Sequence, residues 1–129
     1  MVSVVGVGVD LVEVSRVERA LARWDQRLIE KLMNPEEAAR LPAAGGPQAR
    51  ALAFAIAGKE AASKALGTGW SRGVRWRDVR VERTPAPTVR LVARAADVAG
   101  QLGCDGQAVV TLEERGDLVL GRVALLSRA

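Results

Sequence analysis

Phe-Ala-Ile-Ala-Gly-Lys-Glu-Ala-Ala-Ser-Lys-Ala-Leu-Gly-Thr-Gly, residues 54–69, is the stretch on which the reading of this chain turns. An alanine-rich, nearly wholly apolar helix is interrupted by Lys59, Glu60, Ser63 and Lys64 and then stops at Gly67-Thr68-Gly69. Glu60 and Lys64 stand four apart and share one helical face with Ser63. Polar groups on an otherwise core-like helix serve packing poorly and point to a site. The ordinary alternative is an i,i+4 ion pair in the favourable Glu-before-Lys order, worth a few tenths of a kcal/mol. Ala51–Ala57 and Ala61–Leu66 leave little exposed face for such a pair. Gly58 weakens the helix by roughly 1 kcal/mol relative to Ala, which is consistent with a close approach by a backbone or ligand. The glycine turn is first of all a helix stop, and it is also able to receive a phosphate.

Upstream, Gly6-Val7-Gly8-Val9-Asp10 ends a hydrophobic strand, Val2 to Asp10, on a carboxylate, and the continuous apolar run reads as buried. Asp10, Glu60 and Lys64 together suggest a metal and phosphate site. Ser15-Arg16-Val17-Glu18 fits a capping box that opens a helix to about Arg23. Arg16, Arg19, Arg23 and Arg27 form a basic stripe along it. Asn34-Pro35-Glu36-Glu37 reads as cap, first-turn proline and dipole-matched acids of a short helix. Pro42–Pro47 reads as a loop, and the main helix as running from about Gln48 to Leu66. Beyond it, Val79–Val81 and Val89–Val92 alternate as strands around a Thr84–Pro87 turn. Ala93–Leu102 suits a helix closed by Gly103, and Gln107–Glu113 with Leu118–Leu126 a hairpin. The mixture predicts an α+β fold, an antiparallel sheet packed on a long helix, as one domain over residues 1–129.

Composition narrows the chemistry. The chain has no histidine, so Ser-His-Asp, Cys-His and ordinary zinc hydrolysis are excluded, leaving carboxylate, lysine and water. Its single cysteine, Cys104, cannot form an internal disulfide. No apolar run reaches the roughly 18 residues of a membrane span, and the N-terminus lacks a basic signal-peptide region, so no membrane association and a cytoplasmic location are expected. The net charge of +4 favours acidic partners, but no aromatic platform or zinc pattern accompanies the arginines, so nucleic acid is not expected. Aromatic residues are only 3% of the chain, and a core of such small side chains suggests an oligomer.

Gly6-Val7-Gly8-Val9-Asp10-Leu11-Val12-Glu13 followed by Arg16-Val17-Glu18 resembles the opening motif of the holo-acyl-carrier-protein synthase family. Lys59-Glu60-Ala61, Ser63-Lys64-Ala65 and Gly67-Thr68-Gly69 resemble its second motif. The resemblance implies a Mg²⁺-dependent phosphopantetheinyl transferase acting on coenzyme A and apo acyl carrier protein, typically a homotrimer with sites at subunit interfaces. It implies Asp10 and Glu60 as metal ligands, Glu60 and Lys64 as catalytic groups, and Lys64 with Gly67, Thr68 and Gly69 at the coenzyme A phosphates. Arg16, within the motif, and Arg19 and Arg23 would dock the carrier; the ordinary reading is a solvated basic face. The base for the incoming serine would be Glu60 or a metal-bound water. A divergent, non-catalytic assembly member is the alternative. Where many relatives carry Arg-Phe-Ala this chain has Ala55-Ile56-Ala57, and Glu114 stands at a common His position. Glu114 would either orient a substrate or simply sit in a charged turn.

Overall fold

The computed structural model describes residues 1–128; the one-domain reading of residues 1–129 therefore includes one residue, Ala129, outside the described part. In chain order the elements are β1 (Val2–Glu13), α1 (Val14–Trp24), α2 (Gln26–Leu32), α3 (Pro35–Ala39), α4 (Gly46–Ala65), a 3₁₀ turn (Trp76–Asp78), β2 (Val79–Glu82), β3 (Thr88–Leu91), α5 (Ala93–Gln101), β4 (Gln107–Arg115) and β5 (Leu118–Arg128). The α+β expectation holds. An antiparallel sheet in the order β1-β5-β4 packs on the long α4, and β2-β3 form a separate antiparallel pair.

The 20-residue α4 is the axis of the fold, and twelve of its residues are buried. It is buried on both sides because the sheet covers one flank and α1 and the β2-β3 pair cover the others. One apolar cluster gathers Val14, Val17, Ile29, Leu32 and Met33 around Leu52, Phe54 and Ala57. The second gathers Ala61, Ala65 and Leu66 with Val79, Val98, Val123 and Leu125. The helix begins at Gly46, inside the segment expected to be loop, because Pro47 is accommodated in the first turn, where no intrahelical N–H partner is lost.

What seats α4 on the sheet is the absence of side chains between them. A Cβ on Gly8 would lie 1.8 Å from the Ala61 carbonyl oxygen, one on Gly6 2.1 Å from that of Ala65, and one on Gly121 2.5 Å from that of Ala57. Ala57, Ala61 and Ala65 are four apart and form one ridge, so small residues on both partners allow backbone-to-backbone contact.

The strand expected to be buried and to end at Asp10 runs on to Glu13 and is buried on one face only. Val7, Val9 and Leu11 are exposed, whereas Gly6, Gly8, Asp10 and Val12 share the opposite, helix-facing side. Alternation puts glycine inward and valine outward, the inverse of an ordinary amphipathic strand, because α4 leaves room only for glycine. The expected capping box at Ser15 is also absent. Helix α1 starts at Val14 without a side-chain cap of its own. Instead Asp117, in the β4–β5 turn, accepts from the Ser15 amide at 3.0 Å and from its hydroxyl at 2.6 Å. The capping function thus comes from 102 residues away. At α3 the expectation holds: Asn34 and Glu37 form a reciprocal capping box.

Candidate active site

The four polar residues that interrupt α4 do not share one role. Lys59 turns away from the sheet and is fully buried. Its Nζ donates to Glu37 Oε1 at 3.0 Å, to the Trp76 carbonyl at 3.0 Å and to the Val79 carbonyl. Glu37 in turn accepts from the Val81 amide at 3.1 Å and from the Asn34 amide. This network ties α3, the 3₁₀ turn and β2 to α4. Burial lowers the proton affinity of Lys59, and the Glu37 charge opposes that shift. Lys59 is a structural ion pair with all three of its protons engaged, outside the expected site. Gly58 fits the same region, its missing Cβ being filled by the Val81 methyls at 3.0 Å rather than by a ligand. The Ser63 hydroxyl is buried and donates to the Glu60 carbonyl at 2.8 Å, so it too serves the helix.

Glu60 and Lys64 project toward the sheet, and the close glycine contact brings Asp10 to them. Lys64 Nζ lies 2.8 Å from Asp10 Oδ1 and 3.2 Å from the Val9 carbonyl. The ordinary alternative, an i,i+4 pair, does not form: Lys64 pairs with Asp10 across 54 residues rather than with Glu60. The bond to Asp10 raises the Lys64 proton affinity, keeping it charged. Burial raises that of Glu60; the neighbouring Asp10 charge adds to this, while a Trp70 N–H and Lys64 oppose it.

Asp10 and Glu60 line an open groove of about 560 Å³, together with Glu13, Arg16, Ile56 and Leu118. Arg16, expected to dock a partner, therefore stands at the mouth of the carboxylate site. Arg19 and Arg23 are exposed farther along α1 and do not line the groove; the Arg23 guanidinium lies over the Trp24 ring, 5.1 Å from its centroid. Arg27 belongs to α2, after the break at Asp25. Gly67, Thr68 and Gly69 follow the end of α4 at once. Gly67 and Gly69 adopt positive φ, and their amides are spent on closing the helix, donating to the Lys64 and Ser63 carbonyls at 3.0 and 3.1 Å. Glu114 pairs with Arg50 of α4 at 2.5 Å and is not among the groove residues.

The donor set fits a hard divalent cation that keeps part of its water shell. Among the described residues no three Asp, Glu, Cys or His side chains gather around a point. Two carboxylates alone, one already carrying a half-exposed lysine, suit Mg²⁺, which commonly takes one or two protein carboxylates beside substrate phosphates. Sequence reasoning missed Ile56 and Leu118 as groove neighbours of the carboxylates; the position of Ile56 one helical turn before Glu60 was the available signal.

Comparison with known proteins identifies the family. Residues 6–116 match the model of the 4′-phosphopantetheinyl transferase superfamily. A holo-[acyl-carrier-protein] synthase of Alkalilimnicola ehrlichii is 40% identical over 114 residues, covering 87% of this chain and 89% of that protein. One from Methylobacterium is 45% identical over 97 residues, 72% and 70% of the two chains. Among solved structures, holo-[acyl-carrier-protein] synthase from Neisseria meningitidis superposes with a TM-score of 0.81 at 26% identity, covering 95% of this chain and 98% of that one. The chain belongs to the 4′-phosphopantetheinyl transferase superfamily, among the relatives named holo-[acyl-carrier-protein] synthase.

Proposed function

We propose that this chain is a holo-[acyl-carrier-protein] synthase. It transfers 4′-phosphopantetheine from coenzyme A to a serine of apo acyl carrier protein and releases adenosine 3′,5′-bisphosphate. The observation that carries the reading is the meeting of Asp10 and Glu60 in one groove, with Lys64 bonded to Asp10, in a chain related over most of its length to such synthases. In the reaction the serine oxygen bonds to the phosphorus that bears pantetheine, and the bond to the bridging pyrophosphate oxygen breaks. Mg²⁺, held by Asp10 and Glu60, would offset the pyrophosphate charge and the charge developing on the leaving oxygen.

The chain's own residues supply the rest. Lys64 releases Asp10 and meets a phosphate as a fixed positive charge. Glu60, or a water beside it, would take the serine proton. The Gly67-Thr68-Gly69 turn borders the coenzyme A phosphates beside Lys64, with contacts other than the two amides already engaged. Arg16 attracts the acidic carrier to the groove mouth, and Arg19 and Arg23 extend that attraction along α1. The exposed Val7, Val9, Leu11, Val109 and Leu118 on the outer sheet face support a homotrimer in which further copies cover them. Among the described residues no helix is long and apolar enough to cross a membrane, and a cytoplasmic location is part of this reading.

The test is transfer from coenzyme A to apo carrier protein, read by intact mass. Asp10→Ala and Glu60→Ala each lose about 100-fold or more of the Mg²⁺-dependent rate with melting temperature little changed. Near-normal turnover of either variant at low Mg²⁺ would remove that carboxylate from the metal site. No transfer by the unaltered chain would favour the alternative, a non-catalytic binding member of the family.

A further inference from the structure

The β4–β5 connection, Gly116-Asp117, is only two residues long and reaches across to the start of α1. So short a loop leaves the aspartate little freedom. From there Asp117 makes three bonds to α1. Its main-chain carbonyl accepts from the Val14 amide at 2.8 Å, its Oδ1 from the Ser15 amide at 3.0 Å and its Oδ2 from the Ser15 hydroxyl at 2.6 Å. The residues flanking this clasp all line the groove that holds Asp10 and Glu60: Glu13, Arg16 and Val17 on one side, Leu118 on the other. The clasp therefore joins the two walls of the groove, α1 and β5, at its rim. Val14 and Val17 are buried, so packing keeps the inner face of the first turn in place. Arg16 has no such support. It is exposed and makes no hydrogen bond or ion pair among the described residues. Where its guanidinium stands is set by the backbone of a first turn that no side chain of α1 itself caps.

We propose that Asp117 is a positioning residue for recognition of the acidic carrier: by capping the first turn of α1 it holds Arg16 at the mouth of the groove. The inference rests on the reading of Arg16 as a carrier-docking residue and deepens it. Two effects of the Asp117 side chain oppose each other. As a negative charge beside a basic rim it repels an acidic partner, so that its removal would by charge alone strengthen docking. As an acceptor it satisfies helix-start donors that have no intrahelical partner. Without it the turn frays, and the apparent affinity falls with the fraction of time that Arg16 spends in place. Loss of one cap shifts that equilibrium about fivefold. The charge is exposed and screened within about 10 Å at 0.1 M salt, so the acceptor effect wins. The direction in which carrier affinity changes therefore separates positioning from plain electrostatics.

The experiment measures KM for apo carrier and for coenzyme A in the intact-mass transfer assay at about 0.1 M salt. Asp117→Ala raises the carrier KM about fivefold and leaves the coenzyme A KM unchanged. Asp117→Asn loses the charge but keeps an acceptor oxygen for the Ser15 amide, and stays within about twofold of the unaltered chain. Arg16→Ala combined with Asp117→Ala shows the carrier KM of Arg16→Ala alone, because the aspartate acts through the arginine. A carrier KM that is unchanged or lowered in Asp117→Ala overturns the positioning role. So do equal rises for both substrates, an Asn variant as weak as the Ala variant, or effects that multiply in the double variant. A merely structural role lowers the active fraction, hence kcat, at unchanged KM, and that result overturns it as well. An unchanged carrier KM in Arg16→Ala would instead remove Arg16 from docking, and this inference with it. Should Asp117→Ala not fold, Ser15→Ala decides: it removes the hydroxyl bond and raises the carrier KM about twofold, and an unchanged value refutes the clasp.

Discussion

Replacing Gly8 by alanine tests whether backbone contact between β1 and α4 is what assembles the site. The added Cβ would stand 1.8 Å from the Ala61 carbonyl oxygen, 2.7 Å from the Ala65 nitrogen and 2.9 Å from the Ala61 carbonyl carbon. These are backbone atoms of a buried helix, so no side chain can swing aside. Reaching even about 3.0 Å requires strand and helix to part by about 1.2 Å at this point. Overpacking of this kind costs about 3 kcal/mol, the upper part of its usual range. At about 2.1 cal/mol/K per residue, a chain of this length loses about 4 °C per kcal/mol, hence about 11 °C. Activity should fall further than stability. Asp10 moves with β1 and Glu60 and Lys64 with α4, and a misplacement of about 1 Å costs on the order of 100-fold in rate. Calorimetry and the intact-mass transfer assay read the two effects. Gly100→Ala is the matched control: it lies in α5 with nothing within 4 Å of its Cβ, and it should stabilise by up to about 1 kcal/mol. A Gly8→Ala protein melting within about 3 °C of the unaltered chain, at a rate within about threefold, would refute the contact as the device that positions the site.

Other outcomes follow from the same geometry. Lys59→Met leaves the buried Glu37 carboxylate unpaired and should cost about 3–5 kcal/mol, seen as a large fall in melting temperature; adding Glu37→Gln should recover part of it. Because burial and Asp10 raise the Glu60 proton affinity, the acid limb of kcat/KM should lie above the ordinary carboxylate range, and added Mg²⁺ should move it down by competing with the proton. For stability the sign reverses. The folded chain binds this proton more tightly than the unfolded one, so Glu60 costs stability as pH rises from its ordinary toward its raised value. Glu60→Gln should therefore melt no lower than the unaltered chain at neutral pH, which thermal scans across pH would check. Sedimentation should give a species near three times 13.7 kDa, and a clean monomer active in transfer would show that the apolar sheet face is not needed for the site.

The elements that sequence alone determined are those whose causes lie within a few residues. The reciprocal cap of Asn34 and Glu37, the glycine-closed end of α4, and the β4–β5 hairpin are all local, and each was legible from caps, breakers and period. The candidates that the fold brings near one another were legible as well, Glu60 and Lys64 by their helical spacing and Asp10 by its motif. What only tertiary structure decided was who meets whom. Ser15 looked like its own helix cap and is instead held by Asp117. Lys59 looked like a member of the site and is instead the buried partner of Glu37, 22 residues away. Glu60 and Lys64 looked like a pair, yet Asp10 takes the lysine. Even the burial of β1 was inverted, its valines facing out and its glycines in. The physical reason is common to all four. Caps and turns are set by hydrogen bonds between near neighbours, whereas charge partners and buried faces depend on how closely two backbones approach. Here that distance is set by Gly6, Gly8 and Gly121 against the alanine ridge of α4, a complementarity that exists only once strand and helix are brought together.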